Sequence, residues 1–379
     1  MGKHTKTIVW IVVVIVVVFF GWRVYKNQQQ SETFKVGAAL ALTGDASEWG
    51  QGELQVTQMM IDDFNAKGGL NGIPIQLAIQ DTKSTGEGTV DAVNELINIE
   101  QVPVILGPTW VDSFQGPNPI AEQAHVVMLT PSAALEVVDH KEQFTYLFST
   151  FWPQAPEIQA LDGFMVARKM KSLAIINDHD PFDTKLADEL AADAQAKGIA
   201  MVDREQLPID SNDFRTQIVK IKQLHPDAVF IEINNVSTLG PFMKQAKELG
   251  LSATIFSSPD AQNQDAVSKF GKYMEGLTYP FLKTPTGTLY ADFVKKYQGK
   301  YNALPSTPSA VTTYNAVVAL LSVLKSGART GTEIRDALYK VDVHGIGVSD
   351  ISFNSMGEIK DADFEMRMIH NGQFTTISQ

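Results

Sequence analysis

An α/β protein of two doubly wound parallel-sheet lobes, preceded by one N-terminal transmembrane helix, is the fold class that this sequence predicts. Three observations predict it. Residues 7–22 form an uncharged run of mostly Val, Ile and Phe. Beyond it, short β-rich runs alternate with apolar stripes at helical spacing. That alternation then starts a second time, from Leu173. At 379 residues the chain is too long for one ordinary domain and fits two lobes with a short appendage.

The N-terminal run is flanked by Lys3 and Lys6 on one side and by Arg23 and Lys26 on the other. At about 1.5 Å per residue it is slightly short for a ~30 Å hydrocarbon layer. Lys6, Arg23 and Lys26 can snorkel, and Trp10, Trp22 and Tyr25 suit the interface. No small-x-small cleavage site follows Gly21, which favours an uncleaved anchor over the other readings, a removed signal peptide or a buried soluble helix. The polar stretch Asn27–Ser31 then links to the folded part.

The first lobe opens with the strand Phe34–Leu42. A helix carries Val56, Met59, Met60 and Phe64 on one stripe and stops at Lys67-Gly68-Gly69. Strand Ile73–Gln80, a helix marked by Val90, Val93, Leu96 and Ile97, and strand Val102–Leu106 follow. A helix near Ile120–Ala124 leads to strand Val126–Leu129 and the sequence Thr130-Pro131-Ser132. The second lobe repeats the order: strand Leu173–Ile176, helix Asp183–Lys197, strand Ile199–Asp203, helix Phe214–Leu224, strand Ala228–Ile233, helix Leu239–Leu249 and strand Thr254–Phe256. Such alternation predicts parallel sheets covered by helices on both faces. After Leu277 come helices near Leu289–Tyr301, Ala310–Leu324 and Thr332–Tyr339. Ile351–Phe353 and Phe364–Ile369 read as two strands joined through Met356-Gly357.

Composition narrows the function. The formal net charge of -12 disfavours nucleic acid as a partner. Without any cysteine the chain has no disulfide, thiolate metal site or thiol nucleophile. The histidines are scattered, with no His-Glu-x-x-His spacing, and neither a Gly-x-Ser-x-Gly elbow nor a phosphate loop is present. Asp178-His179-Asp180-Pro181-Phe182-Asp183 looks like a metal cluster but lacks the glycine and late glutamate of a calcium loop, so it reads as a structural turn. No nucleophile–base set is visible, so an enzyme is disfavoured and no cofactor is expected.

In open parallel sheets, ligands sit beyond the carboxyl ends of the strands, where the strand order reverses. Two such sheets facing each other make a cleft. Its candidate walls are the loops 43–50, 107–113 and 130–134 from the first lobe, and 177–182, 234–236 and 257–261 from the second.

The stretches FKVGAALALTGDASEWGQG, IDDFNAKGGLNG, VILGPTW and VVMLTPSAA, in that order, resemble the leucine/isoleucine/valine-binding protein family of type I periplasmic binding proteins, the solute-binding subunits of ABC transporters. The resemblance runs from Phe34 to about Ser378. It implies a clamshell whose lobes are joined by a three-strand hinge near Thr150, Leu277 and Val348. On that reading residues 1–32 are anchor and linker. Residues 33–150 with 278–348 form lobe one, and 151–277 with 349–379 form lobe two. The resemblance also implies a small-molecule ligand held without chemical change, an ABC-type membrane permease as partner, and a folded domain outside the cytoplasm on a single-pass anchor. A sensor reporting to a membrane receptor or kinase is the alternative.

Residue by residue, the resemblance places an aromatic where Trp49 stands. Where amino-acid-binding members have a carboxylate-holding serine, an ungapped reading gives Val111. Thr130-Pro131-Ser132-Ala133-Ala134 replaces a usual Ser-Pro-x-Ala-Thr, so the last hydroxyl is missing. Phe182 stands at a common tyrosine, Asn235 where another aromatic often packs, and Asp260 where an acidic residue meets the ligand ammonium. Chemistry supports these roles but leaves bland ones open. Trp49 and Trp110 can stack on a ligand or anchor their loops. Ser132 with nearby N–H groups can hold an anion at a following helix N-terminus, or serve as an N-cap. Phe182 can wall the pocket or pack under the hinge. Asp260 can pair with a cation or cap the helix entering at Ala261–Val267.

Overall fold

The structure is a computed structural model and describes residues 33–110, 115–208, 211–232, 236–305, 309–348, 350–360 and 362–377. The transmembrane helix expected over 7–22 lies outside these residues. Among the described residues no helix is long and apolar enough to cross a membrane.

The first layer runs β1 (Phe34–Leu40), α1 (Ser47–Ala66), β2 (Ile75–Asp81), α2 (Gly86–Asn98), β3 (Val104–Leu106), α3 (Pro117–Ala124), β4 (Val127–Thr130) and β5 (Leu147–Ser149). Its sheet has the order β2-β1-β3-β4-β5, with every neighbouring pair parallel. The exit of α1 shows why Asn65-Ala66-Lys67-Gly68-Gly69 is such a sharp stop. Gly68 and Gly69 adopt φ of +104° and +58°, and the Asn65 amide then clamps the backbone of Ile75, donating to its O and accepting from its N at 2.8 Å each.

The second layer contains α4 (Gln154–Ala167), β6 (Ser172–Asp178), α5 (Pro181–Ala196), β7 (Ala200–Leu207), α6 (Arg215–Leu224), β8 (Ala228–Glu232), α7 (Val236–Glu248), β9 (Thr254–Phe256), α8 (Gln264–Met274) and β10 (Thr278–Leu282). Helices α9 (Thr288–Tyr301), α10 (Ser309–Lys325) and α11 (Gly331–Leu338) follow, and β11 (Phe364–His370) and β12 (Gln373–Thr376) close the chain. The second sheet is ordered β12-β11-β10-β9-β8-β6-β7. Its parallel part, β7-β6-β8-β9-β10, repeats the strand order of the first sheet. β11 and β12 are added antiparallel.

One sequence expectation is corrected here, and one helix goes unforeseen. Ile351–Phe353 is no strand partner of Phe364–Ile369. Ile351 and Phe353 make isolated bridges to Val343 and Ile359 and pack in the first layer's core, whereas β11 pairs with β10 and β12 in the second sheet. Apolar alternation alone does not say which sheet a short segment joins. Helix α4 gives no periodic signal in the sequence, because Ile158, Leu161, Phe164 and Met165 are buried together with Glu157 and Asp162. Polar residues on the buried face, with Val166 on the exposed one, erase the amphipathic stripe.

Chain passes between the layers after β5, after β10 and before β11. β10, just beyond Leu277, is a strand of the second sheet. The later two passages are tied by Lys283 N donating to Asp363 O at 2.8 Å. At the first, Thr150 Oγ1 donates to Thr312 O on α10 at 2.8 Å. Thr150, Trp152, Leu282, Val348 and Ala362 line one crevice there.

Candidate functional site

The strand order reverses between β1 and β3 in one sheet and between β6 and β8 in the other. The carboxyl ends of these strands are therefore the places where each layer can present a ligand. In the first layer β1 delivers the chain into α1, whose first turn carries Trp49. Gly50 lets this turn sit directly on the end of β1, since a Cβ there would lie 2.1 Å from Ala41 O. β3 delivers Trp110, held at φ +64°, a left-handed conformation uncommon for a bulky residue. The two indoles meet edge-to-face with centroids 6.2 Å apart. Ser132 is buried beside them, and its Oγ accepts from Trp110 N at 3.4 Å.

Beneath this pair lies a carboxylate that the sequence motifs do not single out. Glu53 is fully buried on α1. Its Oε2 accepts from Thr109 Oγ1 at 2.7 Å, and Thr109 Oγ1 accepts in turn from Ala41 N at 3.1 Å. Oε1 has no partner. Burial pushes the Glu53 carboxyl up to about 7, against the lowering effect of the Ser132 and Thr109 hydroxyls.

The residues after Ser132 change the anion-holding role expected of it. Only the short 3-10 turn Leu135–Val137 comes next, with no capping side chain, so neither a helix dipole nor an N-cap role applies. Ala133 is completely buried, and its carbonyl accepts from Ser149 Oγ at 2.7 Å. It braces β5 through its backbone. Val111 and Asn235 lie outside the described residues.

In the second layer Asp180 caps α5, its Oδ1 accepting from Phe182 N at 2.8 Å and Asp183 N at 3.3 Å. Asp178 Oδ1 accepts from Asp180 N at 2.8 Å. The acidic loop thus has the structural-turn role expected of it, and it fixes Phe182 at the start of α5. Phe182 packs both on the core under α4 and α5 and on a small cluster of Ala134, Phe151, Trp152 and Leu282. Trp49 packs on that same cluster. The two aromatics expected on opposite walls thus converge on one apolar centre supplied by both layers.

Trp152 is the unforeseen residue at that centre. It stacks on Phe151 with centroids 3.9 Å apart and meets Phe364 edge-on at 5.7 Å. Its Nε1 donates to Glu157 Oε2 at 3.3 Å. Of the five tryptophans in the chain, the three beyond residue 32 are Trp49, Trp110 and Trp152, and all three belong to this region.

Asp260 sits in the 3-10 turn Pro259–Ala261 beyond β9. It is half-buried, and desolvation raises its carboxyl to about 6. It is not the helix cap: Asn263 Oδ1 performs that task for α8, accepting from Ala266 N at 2.9 Å. Asp260 therefore has no structural partner among the described residues. Its field reaches Glu157, whose carboxyl is raised to about 8 chiefly by burial and further by Asp260 and Glu136. Aromatic faces from both layers, the Ser132 hydroxyl and the Asp260 carboxylate are the groups that this region offers to a small molecule.

Comparison with known proteins agrees with this geometry. The sequence pattern of a family described as periplasmic binding protein matches residues 33–378. The chain is 24% identical over 346 residues to the leucine-, isoleucine-, valine-, threonine- and alanine-binding protein of Pseudomonas aeruginosa, covering 90% of this chain and 91% of that one. It is 23% identical over 345 residues to the Leu/Ile/Val-binding protein of Escherichia coli, covering 90% and 92%. Among solved structures, the branched-chain amino acid transporter substrate binding protein LivJ of Streptococcus pneumoniae in complex with isoleucine superposes with a TM-score of 0.80 at 20% identity, over 91% of this chain and 99% of that one. A solute binding protein of an ABC transporter from Rhodopseudomonas palustris in complex with 3,4-dihydroxybenzoic acid superposes at 0.78 with 20% identity, over 91% and 96%. At such identities these two structures establish the shared fold.

Proposed function

The chain belongs to the periplasmic binding protein family, and from that premise we propose that it is an extracytoplasmic, non-enzymatic solute-binding protein. It captures one small amine-bearing molecule, an amino acid or a related amide or acid, between its two lobes and delivers it to an ABC-type membrane permease. The observation that carries this reading is the convergence of Trp49, Phe182 and Trp152 on one apolar centre, beside an Asp260 carboxylate that no helix uses as a cap. Trp49 and Phe182 cover the two faces of the ligand, and Asp260 receives its ammonium. Trp110 and Ser132 border the opposite end. The names of the relatives support an amino acid as ligand class and an importer as partner. The uncharged run 7–22 supports attachment to the membrane through an N-terminal helix, with the lobes on the far side from the cytoplasm.

Tryptophan emission tests the reading, because Trp49, Trp110 and Trp152, the tryptophans beyond residue 32, border the proposed site. Titration with a panel of amino acids and their amides is expected to give a saturable, one-to-one change for at least one member. Emission that stays flat while calorimetry shows binding would place the ligand elsewhere.

A further inference from the structure

Two carboxylates of the second lobe have no use in holding a ligand with a single ammonium. Glu232 ends β8, and Glu157 lies in the first turn of α4. Both are fully buried. Among the described residues, neither oxygen of Glu232 has a hydrogen-bond partner, and Glu157 Oε1 has none. The strongest charged neighbours of both are negative: Glu157, Asp260 and Asp178 act on Glu232, which also acts on Asp183, and Asp260 and Glu136 act on Glu157. Against them, the nearby Ser258 hydroxyl favours the charged form of Glu232, and the Trp152 indole that of Glu157. A buried carboxylate without a partner is strongly unfavourable, and an apolar residue of similar size would serve stability better.

Strand geometry fixes where Glu232 points, and Trp152 ties Glu157 to the interlobe cluster. Along β8, Ala228 and Phe230 face the core under α4 and α5, while Val229 and Ile231 face the opposite core. The period of two puts Glu232 on the α4 side at the carboxyl end of the strand. This is the switch-point end of the sheet, where Asn177 of β6 is its register partner. Trp152 bonds Glu157 from the interlobe cluster and so joins that cluster to the carboxylates.

We propose that Glu232 and Glu157 form a second cation subsite behind Asp260, so that the ligand carries two cationic nitrogen groups on a short apolar spacer, as in a basic amino acid or a short diamine. This rests on the reading that the cleft binds an amine. Asp260 meets one cation near the mouth, the aromatic walls cover the spacer, and the buried pair receives the second cation.

Calorimetric titration of the full chain in detergent solution tests the proposal, with L-lysine against L-norleucine and putrescine against butylamine. Each pair differs in the terminal amine. At least one dication is expected to bind ten-fold or more tighter than its monoamine counterpart. Glu232→Gln is expected to abolish that preference while changing monoamine affinity less than two-fold. Glu157→Gln, which can still accept from Trp152, is expected to reduce the preference in the same way, and it serves as the readout if the first variant fails to fold. Monoamine binding without preference for the dication overturns the second subsite and leaves the proposed function standing. A preference that survives both substitutions also overturns it. Failure of all four compounds to bind overturns the amine reading itself.

Discussion

Replacing Asp260 by Asn should move stability and affinity in opposite directions. Asp260 makes no cap, and desolvation raises its carboxyl from 3.8 to about 6. A folded-state value above the unfolded one means a stability contribution fully present below pH ~4 and lost as pH rises through ~6. A shift of roughly two units corresponds to about 3 kcal/mol at neutral pH. Because the side chain is only half-buried, residual solvation reduces this to about 1–3 kcal/mol. Asp260→Asn keeps the size and removes the charge. The unliganded variant should therefore be about 1–3 kcal/mol more stable than the parent at pH 7.5 and about equal near pH 4. Lost charge-assisted bonding to a cationic ligand, worth roughly 1.5–3 kcal/mol, should weaken binding at least ten-fold. Urea midpoints at the two pH values give the first quantity and calorimetric titration the second. A variant less stable than the parent at pH 7.5 would make Asp260 a structural residue, and unchanged affinity would remove it from the site.

Glu53→Gln tests the carboxyl under Trp110. Burial raises it from 4.5 to about 7, so its stabilising contribution is present below pH ~4.5 and falls by about 3 kcal/mol as pH passes 7. The variant's urea midpoint should fall less between pH 5 and pH 8 than the parent's, and identical slopes would refute the assignment. Ligand should draw the lobes together about the passages after β5, after β10 and before β11, giving a smaller radius of gyration in small-angle scattering; no change at saturation counts against a clamshell. In fractionated native cells the chain should be found at full length in the membrane pellet. A soluble form beginning near Asn27–Thr33 would show that the N-terminal run is removed.

Much of the architecture is visible in local patterns. Strands Phe34–Leu40 and Thr254–Phe256 and the stop at Gly68-Gly69 follow from β-rich runs and glycine punctuation. What stays hidden depends on distant partners. β10 contains a proline and a single register partner on β9, and it becomes a strand by pairing along its whole length with β11. Ile351 and Phe353 could belong to either layer until their contacts with Val343 and Ile359 decide it.

The site divides along the same line. Trp49, Trp110, Ser132, Phe182 and Asp260 enter the proposed site from the sequence alone, because strand-end loops in parallel sheets are where ligands sit. Trp152 does not, since it lies on a passage between layers and gains its meaning from Leu282 and Phe364. The buried acids do leave a trace. Glu53 falls on the same helical stripe as Gly50, Thr57, Ile61 and Phe64, all facing the interior. Glu232 closes the otherwise apolar strand AVFIE. A charge on a face that must be buried is a local contradiction, and such contradictions collect at functional sites.

Native mass spectrometry of the chain purified from its own cells, alongside Asp260→Asn made in the same way, tests the ligand-capture reading most directly. One small amine-bearing molecule per chain is expected on the parent, released on unfolding, with at least ten-fold lower occupancy on the variant. Equal occupancy on both, or a co-purifying ligand that carries no amine, would contradict it.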